Sequence, residues 1–226
     1  MRMVDGLVKS LDRLQTGLGS DRRGALEQAA RDLLEDNQAL LSLQEGERVD
    51  DFELPDGSGQ PVRLSALSAH GPVVLTFYRG GWCNYCSSYL RTLDQALDGV
   101  REAGAGLVAI SPQTPEHSAT TADRLDLAYP VLSDTDNQVA RRFGLVFRLP
   151  EAFRSAYEVL GIDLPRYNGT HSFELPIPAT YVIARDNRIV YASADADYTK
   201  RPDPAAILAK LDALEKQASR ESEVRA

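Results

Sequence analysis

Cysteine is scarce in this chain. Among 226 residues there are two, with one tryptophan, two methionines and three histidines. With no further cysteines to pair, a C-x-x-C reads as an intracellular, cycling redox pair and not as part of a disulfide framework. An excess of basic charge is also missing: 25 Lys and Arg face 33 Asp and Glu, a net charge of −8. That balance argues against nucleic acid or an anionic membrane surface as the main partner. No apolar run approaches the roughly 20 residues of a membrane span. The start, Met1-Arg2-Met3-Val4-Asp5-Gly6-Leu7, has no apolar core and no small-residue cleavage site, so no secretory signal is expected and the cytoplasm is the expected compartment. Internal repeats and low-complexity tracts are lacking. What remains, 43% hydrophobic and 26% charged residues, is the composition of an ordinary globular domain with an elaboration.

The two cysteines stand together in Trp82-Cys83-Asn84-Tyr85-Cys86. They follow the apolar run Val73-Val74-Leu75-Thr76-Phe77-Tyr78 and the turn Gly80-Gly81, and precede Leu90, Leu93, Leu97 and Val100 at helical spacing. A strand that turns on glycines into a helix with C-x-x-C in its first turn suits thiol redox chemistry. Unpaired N–H groups and the dipole at a helix N-terminus favour thiolate over thiol, and can bring a cysteine pKa from about 8.5 to about 3.5–7.5. The three-residue spacing also lets the sulfurs approach across one helical turn. A purely structural disulfide would close a very short loop and stabilise little. A zinc site would need two more ligands from His70, His117 and His171, which show no ligand-like spacing.

Residues 1–45 read as a helical hairpin extension. Val4, Leu7, Val8, Leu11, Leu14 and Leu18 form one apolar stripe, and Leu26, Ala29, Ala30, Leu33 and Leu34 a second, after a cap at Ser20. Such stripes need a cover, either the main domain or a second copy through a homodimer. Residues 46–217 alternate strands and helices: a strand at 73–78, a second at 106–111, and a helix opened by Thr114-Pro115-Glu116. After an insertion at about 145–176, with a helix from Glu151, comes a hairpin around Asp186-Asn187 and a last helix from Asp203-Pro204. Residues 218–226 read as a flexible tail. The fold class is α/β, a three-layer arrangement with a mixed central sheet and helices on both faces.

Several of these segments resemble the peroxiredoxin-like (alkyl hydroperoxide reductase and thiol-specific antioxidant) branch of the thioredoxin superfold, over roughly residues 48–215. They are Asp51-Phe52-Glu53-Leu54, Phe77-Tyr78, Tyr129-Pro130-Val131-Leu132-Ser133-Asp134 and Val139-Ala140-Arg141-Arg142-Phe143-Gly144. The family motif Pro-x-x-x-Thr-x-x-Cys falls on Arg79 to Cys86, so the resemblance makes Cys86 the peroxidatic cysteine and sets Cys83 on the threonine and Arg79 on the proline. The family's arginine before a late core strand is replaced by Pro178-Ala179-Thr180-Tyr181. That is the thioredoxin arrangement, which implies a cis-Pro178 packed beside the cysteine pair.

Supporting roles follow. Arg79 is either a solvated loop charge or a cation that stabilises a thiolate. Trp82 is either core or, as the resemblance implies, part of a surface that greets partner proteins. Asp195-Ala196-Asp197-Tyr198-Thr199-Lys200-Arg201 reads as a polar loop. The resemblance implies a thiol-dependent peroxidase in which Cys86 attacks the peroxide and Cys83 closes a disulfide. Thioredoxin or glutaredoxin then resets the pair, without metal or organic cofactor. The alternatives are a protein disulfide reductase led by Cys83, favoured if Cys83 is exposed and Cys86 shielded, and a non-catalytic redox-sensing module.

Overall fold

The computed structural model describes residues 20–35 and 41–225, with side chains placed for 24–32 and 41–217. Its centre is β3 (Val73–Phe77), buried at every position. A strand buried on both faces is mostly apolar, which is why this one reads as a near-continuous hydrophobic run; its one hydroxyl, Thr76, is satisfied by the Ala179 carbonyl and the Thr180 hydroxyl. β4 (Gly106–Ser111) pairs parallel to β3, and β5 (Val131–Ser133) parallel to β4. On its other side β3 pairs antiparallel with β8 (Ala179–Ile183), which pairs antiparallel with β9 (Ile189–Ala194). The five-stranded sheet is therefore mixed, in the order β5-β4-β3-β8-β9. β1 (Glu53–Pro55) and β2 (Pro61–Arg63) form a separate hairpin.

Alternate side chains of β3 face opposite layers. Leu75 and Phe77 pack with Leu64, Ile110, Phe143 and Tyr181 beneath the helices α2 (Leu64–His70) and α6 (Gln138–Arg142). Val74 packs with Leu90, Leu93, Val100, Ile207 and Leu211 beneath α3 (Asn84–Gln95), α4 (Leu97–Glu102) and α9 (Pro204–Arg225). The expected three layers are thus present. The stretch expected as one helix after Cys83 is two, broken at Ala96 between α3 and α4. α9 extends through residues 218–225, expected as a tail, since Ala218, Arg220 and Glu221 are good helix formers.

α5 (Pro115–Leu125) begins as the sequence implies, with the Thr114 hydroxyl accepting from the His117 N–H and Pro115 at the first turn. The Asp134 carboxylate, in the Ser133-Asp134 motif, accepts from the Val139 and Ala140 N–H groups at 3.0 and 2.8 Å and so anchors the start of α6.

The insertion is a lobe closed at its neck by an antiparallel ribbon, β6 (Val146–Arg148) against β7 (Glu174–Pro176). It contains α7 (Glu151–Val159) and α8 (Leu164–Asn168). α1 (Ser20–Glu35) lies on it: Leu26 and Ala30 are buried with Leu149, Phe153, Ala156, Tyr157 and Leu164. Leu26, Ala29 and Ala30 of the second N-terminal stripe are therefore covered within the chain. The stripe from Val4 to Leu18 lies outside the described residues.

Candidate active site

The loop between β3 and α3 carries the cysteines. Gly80, at φ +153°, lies beneath the Trp82 indole: a Cβ there would sit 2.2 Å from Nε1. Gly81 lies against α5, where a Cβ would meet the Thr121 hydroxyl at 2.2 Å. Only glycine allows both approaches. The Gly81 N–H donates to the Gln113 side-chain oxygen at 2.6 Å, and Arg124 and Ser87 donate to the Gly81 carbonyl at 2.6 and 2.9 Å. This pinning holds Cys83 at the N-cap of α3, with Cys86 in its first turn, among N–H groups that have no helical partner.

Both cysteines are free, and both are buried, Cys83 4% and Cys86 1% exposed. The exposure contrast that would separate the peroxidase from the disulfide reductase is therefore absent. Charge separates the sulfurs instead. Arg79 is itself buried; its Nη2 donates to Cys83 Sγ at 3.1 Å and its Nη1 to the Tyr157 hydroxyl at 2.9 Å. Its guanidinium lies 3.6 Å from the Tyr198 ring centroid and 5.3 Å from that of Trp82. The reading of Arg79 as a solvated loop charge does not hold.

Burial disfavours charge on both sulfurs. At Cys83 a hydrogen bond from the Cys86 thiol and the positive charge of Arg79 outweigh it and hold the pKa well below the ordinary thiol range. Cys86 goes the other way: burial, then its bond to Cys83 and the charge of that thiolate, push it well above. A second arginine, Arg201, donates through Nη2 to Cys86 Sγ at 3.4 Å. Its guanidinium is steered by the Tyr198 and Lys200 carbonyls and lies 5.7 Å from the Tyr89 ring centroid.

These directions predict how stability follows pH. Cys83 is ionised in the folded state and protonated in the unfolded state between its lowered pKa and about 8.5, so unfolding takes up a proton in that window. The unfolding free energy of the reduced protein should climb there by up to about 1.4 kcal/mol per pH unit, and fall through the same window as pH drops. Above about 8.5 the raised pKa of Cys86 reverses the sign. Denaturant titrations at several pH values check this; a flat profile below pH 8 that Cys83→Ser leaves unchanged would contradict it.

The sequence places Cys83, Cys86 and Arg79 together, and the structure does too. Trp82 turns inward, half-buried, its ring centroid 5.3 Å from that of Tyr157; the exposed aromatic between the cysteines is Tyr85, which contacts Tyr198 edge-on. Pro178 is buried and precedes β8, but no peptide bond among the described residues is cis. The chain runs from β7 through Ile177, whose N–H donates to the Leu145 carbonyl, directly into β8. A trans bond sustains that extended path.

Tyr157, Tyr198 and Arg201 were not legible as site residues. Tyr157 sits on the inner face of α7 with Phe153 and Ala156, a pattern that reports burial but not what the hydroxyl meets. Tyr198 and Arg201 belong to a segment that reads as polar loop, and only the chain path after β9 brings it over the cysteines. No group of three or more His, Cys, Asp and Glu side chains suited to a metal occurs among the described residues.

Comparison with known proteins agrees with this architecture. The AhpC/TSA family model matches residues 46–192. A Mycobacterium tuberculosis protein named as a peroxiredoxin is 38% identical over 100 residues, 44% of this chain and 65% of that one. Peroxiredoxin Bcp of Escherichia coli K12 is 30% identical over 103 residues, 46% of this chain and 65% of its own length. The chain thus spans just under two thirds of these curated relatives. The crystal structure of peroxidoxin BcpB from Mycobacterium tuberculosis superposes with a TM-score of 0.59 at 28% identity, over 76% of this chain and 97% of that one.

Proposed function

This chain belongs to the AhpC/TSA family, and from that premise and the geometry of its site we propose that it is a thiol-dependent peroxidase reducing hydroperoxides with the Cys83/Cys86 pair. The observation that carries the reading is a buried arginine bonded to one of two buried sulfurs at a helix N-terminus. A cation there lowers the cost of a thiolate and of the charge that develops on the departing oxygen. One sulfur takes the peroxide oxygen as a sulfenic acid, the other displaces it as water, and a dithiol reduces the resulting disulfide. Thioredoxin or glutaredoxin is the proposed reductant, meeting the site at exposed Tyr85. The proposed location is the cytoplasm, where such a pair is kept cycling; no helix among the described residues is long and apolar enough to cross a membrane. A homodimer through the N-terminal helices is proposed to use the stripe from Val4 to Leu18, since Leu26 and Ala30 of α1 are buried against the lobe.

A second reading, protein disulfide reductase, is favoured by the charge on Cys83, the first cysteine of the C-x-x-C. Burial weighs against it. A peroxide is far smaller than a protein disulfide, and a cysteine only 4% exposed suits the smaller oxidant. The test is consumption of hydrogen peroxide and cumene hydroperoxide, coupled to a thioredoxin system, by wild type and both single-cysteine variants. Turnover that requires both cysteines supports the peroxidase. Reduction of a protein disulfide without peroxide consumption supports the reductase, and disulfide formation without any turnover marks a sensing module.

A further inference from the structure

We infer that Cys83, and not the cysteine in the family's peroxidatic place, is the resting thiolate that attacks the hydroperoxide, with Cys86 as the resolving cysteine and Arg201 as its own cation. This rests on the peroxidase reading and goes beyond it by assigning the order of attack. Arg79 sets the order of attack. A guanidinium stays charged, and one buried without a counter-charge is strongly unfavourable. The partners of Arg79 are the Tyr157 hydroxyl, the Tyr198 and Trp82 rings and Cys83 Sγ at 3.1 Å; no carboxylate bonds it among the described residues. Tyr157 is a neutral phenol, its pKa raised by burial. The one group in hydrogen-bond contact that can supply a negative charge is therefore Cys83.

Cys86 lacks this pressure. Its cation, Arg201, is only half-buried, lies at 3.4 Å, and is already held by the Tyr198 and Lys200 carbonyls. The two sulfurs thus have separate arginines, a tight buried one for the first step and a looser one for the second. In the first step Cys83 sulfur attacks the terminal peroxide oxygen. An S–O bond forms and the O–O bond breaks; sulfur loses two electrons to the peroxide, and the departing alkoxide takes a proton from water. In the second step Cys86 gives up its proton beside Arg201, and its sulfur bonds Cys83 Sγ. The hydroxide expelled from Cys83 leaves with that proton as water.

Three measurements test the assignment. Reduced wild type is treated with substoichiometric iodoacetamide at pH 7 and peptide-mapped; Cys83 should carry most of the label. Cys83→Ser and Cys86→Ser are then mixed with hydrogen peroxide, followed by the fluorescence of Trp82 and by dimedone trapping. Cys86→Ser keeps a hydrogen-bond donor toward Cys83 and should form sulfenic acid at close to the wild-type rate. Cys83→Ser should react at least about 10-fold more slowly, because less of its thiol is ionised. That comparison is conservative, since removing the Cys83 charge makes Cys86 easier to ionise. Arg201→Gln should leave sulfenic acid formation unchanged and prolong its lifetime; an unaltered lifetime removes Arg201 from the second step. First labelling of Cys86, or a faster Cys83→Ser, overturns the assignment. Wild type inert to peroxide while iodoacetamide still selects Cys83 overturns the peroxidase reading and leaves the resting thiolate on Cys83.

Discussion

Replacing Arg79 with methionine should slow the first reaction with hydroperoxide on the order of 100-fold at pH 7, the size of effect seen when one preorganised donor is removed from a reacting centre. Two losses combine. Less Cys83 is ionised once the guanidinium at 3.1 Å is gone, and the charge that develops on the departing oxygen loses a nearby cation. Methionine is long and unbranched enough to fill the space between Trp82, Tyr157 and Tyr198, so the fold should survive. With the cation removed, Cys83 takes up a proton and no charge is left buried without a partner. Reduction of the preformed disulfide should change little, because that step begins with the attack of an external thiolate. Stopped-flow fluorescence on the single tryptophan, with near-UV circular dichroism to confirm folding, provides the measurement. An unchanged rate in a folded variant removes Arg79 from the mechanism and leaves the helix N-terminus as the main source of thiolate stabilisation.

Phe153→Ala should destabilise the protein by about 3–5 kcal/mol, the range for emptying an aromatic site in a packed core. Phe153 is 1% exposed and lies where α1, α7 and β7 meet, with Leu26, Ala30, Leu149, Leu175 and Tyr157 around it. Its loss should also reach the chemistry. Tyr157 is one helical turn further along α7, and its hydroxyl holds the Arg79 guanidinium in place. Iodoacetamide should therefore react more slowly with Cys83 in Phe153→Ala at pH 7, even under conditions where the variant is fully folded. Denaturant unfolding and alkylation kinetics together decide this. A loss below about 1 kcal/mol would mean that the lobe collapses around the vacancy, far outside the usual cost, and normal alkylation would mean that Arg79 holds its position without Tyr157.

The sequence by itself determined the central strands and the place of the cysteine pair, because both are written locally. β3 is a strand because five successive apolar or β-branched residues are buried on both faces, and β8 and β9 are a hairpin because Asp186-Asn187 supplies the turn, with Asn187 at φ +62°. The place of the cysteine pair follows from Gly80-Gly81 and three-residue spacing at a helix start. What surrounds the sulfurs depended on distant chain segments. Arg79 is four residues from Cys83, yet only Tyr157 from the insertion and Tyr198 from the loop after β9 make it a buried cation. Arg201 lies 115 residues from Cys86 and meets it only because the chain folds back over the sheet before α9. Trp82 faces inward because the lobe gives it Tyr157 to pack against, and Pro178 is trans because β7 leads straight into β8. Periodicity reports which side of an element is buried, and motif spacing reports which residues share a turn. Neither reports which charge a buried thiol will face, since that depends on which distant side chains the tertiary fold brings against it.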